Sequence, residues 1–183
     1  MLSEIFNKKS KPFYRFGDMI LLQKIDKEAW IPFIISKFME TGIEISEQQV
    51  LLIIEKVGTH PYYIQQLASG VWNRSGKNVT DEIIEFAMQE MLDTNSIFYQ
   101  KEIETLSNTQ INLLVAIISG VKQFTSVDAM VKYRLGTPRN VQRNREVLEK
   151  SDFIDVTTKN IEILDPVFLE WFKKNYTEIS DVI

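Results

Sequence analysis

Apolar positions recur at helical spacing from Asp26 onward. In "DKEAWIPFIISKFMETG", Trp30, Phe33, Ile34 and Phe38 fall near i, i+3, i+4 and i+8, a single stripe. Asp26 is placed to cap this helix and Gly42 to end it. Pro32 lies in the early turns, where its missing N–H costs little. "SEQQVLLIIEKVG" repeats the grammar, with Ser46 as cap and Gly58 as stop. In "HPYYIQQLASGVWNRSG", Pro61 sits at or near the first helical position, and Ile64, Leu67, Ala68, Val71 and Trp72 share a face. "TDEIIEFAMQEMLDT" starts at Thr80 with acids in its first turn, which suits the helix dipole; its stripe is Ile83, Ile84, Ala87 and Met91. "SIFYQKEIETL" continues this helix or kinks into a short second one.

The pattern changes near residues 104–106. "LSNTQINLLVAIISG" begins at Ser107 with Gln110 three residues on, the spacing of a capping box. "SVDAMVKYRLG" reads as a short helix between Ser126 and Gly136. "TPRNVQRNREVLEKSD" has Thr137 as cap and Pro138 at the first helical position. "FIDVTTKNIEILD" holds two β-rich runs separated at Lys159-Asn160, a hairpin signal, and Pro166 opens a last helix, "PVFLEWFKKNY". Helix, short helix, helix, hairpin, helix is the order of a winged-helix domain. The expected fold is therefore mainly α, a helical lid-type bundle over 26–104 followed by a winged helix over 105–183.

Before Asp26 the reading is different. "NKKSKP" is a loop, and Pro12 stops any helix begun at Leu2. "MILLQKI", 19–25, has the character of a short strand with no partner nearby, and a strand cannot stand alone.

Composition narrows the function classes. The chain has 183 residues, 44% hydrophobic and 25% charged, enough to bury a real core. It has no cysteine, which excludes disulfides, thiolate zinc sites and cysteine nucleophiles and suits a reducing, cytoplasmic setting. No apolar run approaches a membrane span, so no membrane partner is expected. The net charge of −4 is uneven. Residues 1–104 hold 11 basic and 15 acidic side chains, whereas 105–183 hold 10 of each. Within the second part, 132–150 carries six basic residues against Glu146 and Glu149, a net +4. This window resembles an electrostatic footprint for an anionic partner. Lys132, Arg134, Arg139, Asn140, Arg143 and Asn144 are its candidate contacts with nucleic acid or a protein. Val141 and Leu148, with Val147, face the core, and Arg139, Asn140, Arg143 and Asn144 are expected on the opposite side. Arg and Asn are the side chains that read guanine and adenine edges. Charged residues also decorate any solvated helix face, and a domain of zero net charge is a poor phosphate binder.

The stretch "GTHPYYIQQLASGVWNRSGKN" holds the only histidine and a near-match to a phosphate-binding loop. The match fails in detail. Gly70 and Gly76 enclose five residues rather than four, Asn78 stands where a metal-holding hydroxyl is required, and the preceding segment is helical. Gly76 reads as a helix stop. His60 has no second histidine, acid or cysteine at ligand spacing, so neither a catalytic residue nor a metal site is assigned. It is either a packed or capping residue at a helix N-terminus or a group near a bound nucleotide.

The combination of "PFYRFGDMILLQKI", the apolar helix from Trp30 to Gly42 and "GTHPYYIQQLA" resembles the latter part of a STAND or archaeal-type AAA+ ATPase. In that family a P-loop core comes first, then a sensor strand, a helical lid with a "GHPYY"-like turn and, usually, a winged helix. The resemblance implies that Gly58, His60 and Pro61 form the lid turn near the adenine nucleotide, and that Arg15 follows the sensor strand. Walker A, Walker B and the sensor residue are absent from these residues. The resemblance therefore implies no cofactor held by this chain alone. ATP and Mg²⁺ belong to the full-length protein, and a P-loop core is the expected partner in cis or in trans. Residues 1–25 are then a remnant of the core's edge. The alternatives are a winged-helix transcriptional regulator that binds DNA through Arg139 and Arg143, and a helical adaptor that docks a protein. No cluster suited to a small-molecule enzyme stands out.

Overall fold

A computed structural model describes residues 25–156 and 160–176. Arg15 and the strand expected at 19–25 fall outside them, apart from Ile25, which is exposed. The described residues form eight helices and one two-stranded sheet.

The first four helices are α1 (Lys27–Met39), α2 (Glu47–Val57), α3 (Pro61–Arg74) and α4 (Asp81–Glu104). Local signals set their ends. Ser46 and Gln49 form a reciprocal capping box, with the Gln49 side chain accepting from the Ser46 N–H at 2.9 Å and the Ser46 hydroxyl accepting from the Gln49 N–H at 3.2 Å. Thr80 caps α4 through the Ile83 N–H. Asp26 occupies the N-cap of α1 without a side-chain bond. The stripe of α1 is narrower than the spacing suggests. Trp30, Ile34 and Phe38 are buried, but Phe33 is 48% exposed. Trp72 likewise stays at the surface of α3, where its indole N–H donates to the Thr41 hydroxyl at 2.8 Å. A feature with no local signature ties the loops together. The Glu44 N–H donates to the Lys77 carbonyl at 2.8 Å and the Val79 N–H to the Glu44 carbonyl at 2.9 Å, a short parallel bridge between Glu44 and Asn78.

α4 runs for 24 residues without a break at Ser96, so "SIFYQKEIE" continues it and is not a separate helix. Its N-terminal half buries Ile84, Ala87, Met88 and Met91 and packs on both α3 and α2, and its C-terminal half buries Tyr99 and Ile103. After it come α5 (Asn108–Ile118), α6 (Val127–Lys132), α7 (Pro138–Lys150), β1 (Ile154–Val156), β2 (Ile161–Ile163) and α8 (Pro166–Tyr176). The strands are antiparallel, pairing Ile154 with Ile163 and Val156 with Ile161. This is the expected helix, short helix, helix, hairpin, helix order of a winged helix. Thr137 caps α7 through the Asn140 N–H at 3.3 Å, with Pro138 at the first position.

The core does not divide where the sequence pattern changes. One cluster of buried side chains runs from Trp30 to Phe172. α8 packs on α4, where the Tyr99 ring meets Phe168 edge-on at 5.4 Å and Trp171 at 5.5 Å. The Trp171 indole N–H donates to the Ser96 hydroxyl at 3.0 Å. Fully buried side chains such as Leu148 and Phe172 each contribute about 1.5–3 kcal/mol of apolar burial. The long helix is thus shared between the lid-like half and the winged helix.

Candidate functional site

α2 stops at Val57 because Gly58 adopts φ 60° and ψ −162°, a conformation essentially reserved for glycine. No atom lies within 4 Å of where its Cβ would stand, so backbone conformation alone selects glycine here. His60 then takes the N-cap of α3, and its carbonyl receives the Ile64 N–H at 3.0 Å. Its imidazole makes no capping bond and is exposed, with its ring centre 4.9 Å from that of Tyr63. Pro61 fills the first helical position, as expected. Tyr62, 63% exposed, packs edge-on against Tyr63 at 5.1 Å. Gly58, His60, Pro61 and Tyr62 therefore face outward, and Tyr63 alone turns inward.

What Tyr63 meets is Asp165, the residue between β2 and α8. The Tyr63 hydroxyl donates to Oδ2 of Asp165, and the Tyr99 hydroxyl donates to the same oxygen at 3.1 Å. The other oxygen, Oδ1, accepts the N–H groups of Val167 at 2.8 Å and Phe168 at 2.9 Å, which caps α8. Burial raises the pKa of both tyrosines, and the neighbouring Asp165 charge adds to the effect. The turn and this junction line a groove of about 650 Å³ that also includes Asp152, held at φ 58°. On another side of Asp165, burial and then the Asp165 charge raise the carboxyl pKa of Glu102. The Asp-Pro pair before α8 carried a visible capping signal, but nothing local pointed to the two tyrosines.

The second set of candidates lies on α7 and the turn before it. Arg139, Asn140 and Arg143 are exposed, and neither arginine forms an ion pair among the described residues. Lys132 is exposed at the end of α6, with its ammonium 5.3 Å from the Tyr133 ring centre. Arg134 is exposed too and takes φ 50° in the turn. Gly136 at φ 80° lets the chain enter α7, and a Cβ there would stand 2.7 Å from the Asn140 amide nitrogen. Contrary to expectation, Asn144 does not lie on the outer face with Arg139, Asn140 and Arg143. It is 8% exposed and its Nδ2 donates to the Thr109 hydroxyl at 3.0 Å, so it faces α5 and not a partner. It stands three residues after Val141 and four before Leu148, which puts it on the buried face.

The near-match to a phosphate loop is helix and helix end. Gly70 lies inside α3, where a Cβ would meet Ala87 at 3.5 Å, and the helix stops at Arg74, two residues before Gly76. Among the described residues no group of three His, Cys, Asp or Glu is placed to hold a metal ion. Nor is any helix among them long and apolar enough to cross a membrane.

Comparison with known proteins agrees with this architecture. A family model described as a probable winged helix domain matches residues 97–174, beginning inside α4. The second half of the chain is a winged-helix domain. The structure is also similar to the Walker-type ATPase of Pyrococcus abyssi, with a TM-score of 0.68 at 18% identity. That similarity covers 92% of this chain and 48% of the archaeal one, so the chain spans about half the length of the protein it matches. No curated protein matches the sequence.

Proposed function

We propose that this chain is the helical lid and winged-helix part of a P-loop ATPase of the STAND or archaeal AAA+ type, acting as a nucleotide-responsive switch or interaction module. The observation that carries the reading is the reach of the similarity to the Walker-type ATPase. It covers 92% of the chain and so takes in the lid-like bundle together with the winged helix, a pairing more specific than a winged helix alone.

The described residues fit only one side of a nucleotide. They offer no acidic cluster for magnesium and no glycine-rich cradle for phosphates. Asp152 and Asp165 on the groove wall repel an anion. The exposed rings of His60 and Tyr62 suit a flat, neutral base. Phosphate and metal contacts are therefore assigned to a P-loop core, in cis or in trans. With the chain joined to such a core, His60→Ala and Pro61→Ala should shorten nucleotide retention by about tenfold, the equivalent of 1.4 kcal/mol. Unchanged retention removes the turn from the nucleotide site.

A second reading places a partner on α7. It is favoured by the exposed Arg139 and Arg143, which form no ion pair among the described residues. Val127 and Val131, one turn apart on α6 and each 72% exposed, add apolar surface that a protein rewards more than DNA does.

A further inference from the structure

We propose that Asp165 is a positioning residue that couples the 58–63 turn to the winged helix. The inference goes beyond the nucleotide reading and stands or falls without it. One carboxylate does two jobs through its two oxygens. Oδ1 caps α8 through Val167 and Phe168, and Oδ2 receives the hydroxyls of Tyr63 and Tyr99. The tyrosines lie 102 and 66 residues away in the chain, so the contact joins three elements that no local signal connects.

The two oxygens turn together about one side-chain bond. Moving Tyr63 away leaves a part-buried carboxylate short of a donor, and the carboxylate then reorients toward other donors. Reorientation shifts the cap of α8, which carries Phe168, Trp171 and Phe172 into the shared core. It also acts on the wing. β2 ends at Ile163, two residues before Asp165, and the Leu164 N–H is held by the Phe153 carbonyl at 3.1 Å. Tyr63 in turn is set by the outward rings, with His60 at 4.9 Å and Tyr62 at 5.1 Å. A ligand or partner that seats on His60 and Tyr62 and rotates the first turn of α3 therefore alters the seating of α8. By linkage, a partner on the winged helix alters the turn equally.

The test is amide hydrogen exchange on the full chain with Tyr63→Phe, Asp165→Ser and the double variant, and Tyr133→Phe as control. Serine still caps α8 but lacks the oxygen that reaches Tyr63. Tyr63→Phe should speed exchange about tenfold both in peptides covering 62–68, whose first bonded amide is that of Ile64, and in those covering 163–170. Asp165→Ser should speed exchange in 62–68, and the double variant should match the faster single one. Tyr133→Phe should leave both segments unchanged. A Tyr63→Phe effect confined to 62–68, or single effects that multiply in the double variant, overturns the coupling.

Discussion

Asp165 accepts a hydrogen bond from Tyr99 across 3.1 Å, joining the second half of α4 to the N-terminus of α8. Both tyrosines on this carboxylate have raised pKa values, chiefly from burial. The folded protein therefore keeps phenolic protons that the unfolded chain releases near pH 10. The stabilisation is fully present below about pH 10 and is lost as pH rises beyond it, because the unfolded state binds fewer protons there. Melting temperature followed from pH 9 upward should fall beyond about pH 10, and the fall should be shallower in Tyr99→Phe. Equal slopes for the two proteins would remove Tyr99 as the source.

Gly58→Ala should destabilise the fold by about 1–3 kcal/mol, the cost of a side chain in a backbone region open mainly to glycine. Space is not the cause, since nothing lies within 4 Å of the new Cβ. Gly58→Ala and Gly58→Ser should therefore cost the same in urea unfolding. A much larger cost for serine would indicate crowding that the structure does not show.

Asn144→Ala should cost about 1 kcal/mol through the lost bond to Thr109, with no direct effect on any partner of α7. Chemical denaturation measures the first part. A stability unchanged within error would return Asn144 to the outer face.

Arg139→Ala and Arg143→Ala should leave stability within about 0.5 kcal/mol of the parent, because both are exposed and form no ion pair among the described residues. Anisotropy titration with duplex DNA at several salt concentrations separates the partners of this face. If DNA is the partner, the double change lowers the slope of log K against log salt by about 2. A titration without response to the double change removes DNA as the partner of these arginines.

Most of the fold was legible because its boundaries are chemical. Ser46, Thr80, Ser126 and Thr137 all cap helices, and Pro61, Pro138 and Pro166 open them. The hairpin and the last helix follow from strand-forming runs and a proline. What was hidden is non-local. The Glu44–Asn78 bridge and the Tyr63–Asp165 contact join positions far apart in sequence, and each residue alone is an ordinary loop or helix residue. Asn144 is a different case, since the spacing from Val141 and Leu148 already placed it inward, and its polarity argued the other way. Phe33 and Trp72 show the converse, apolar side chains in a helical stripe that the packing leaves at the surface. Of the candidate site, the exposed turn was visible as "GTHPYY", whereas its link through Tyr63 to the aspartate beneath it was not.

Calorimetric titration of ATP into this chain, with and without magnesium, probes the proposed division of labour most directly. The account predicts at most feeble binding, indifferent to magnesium, and no hydrolysis, since the proposed function assigns phosphate and metal contacts to a separate core. Tight, magnesium-dependent binding by these 183 residues alone would contradict it.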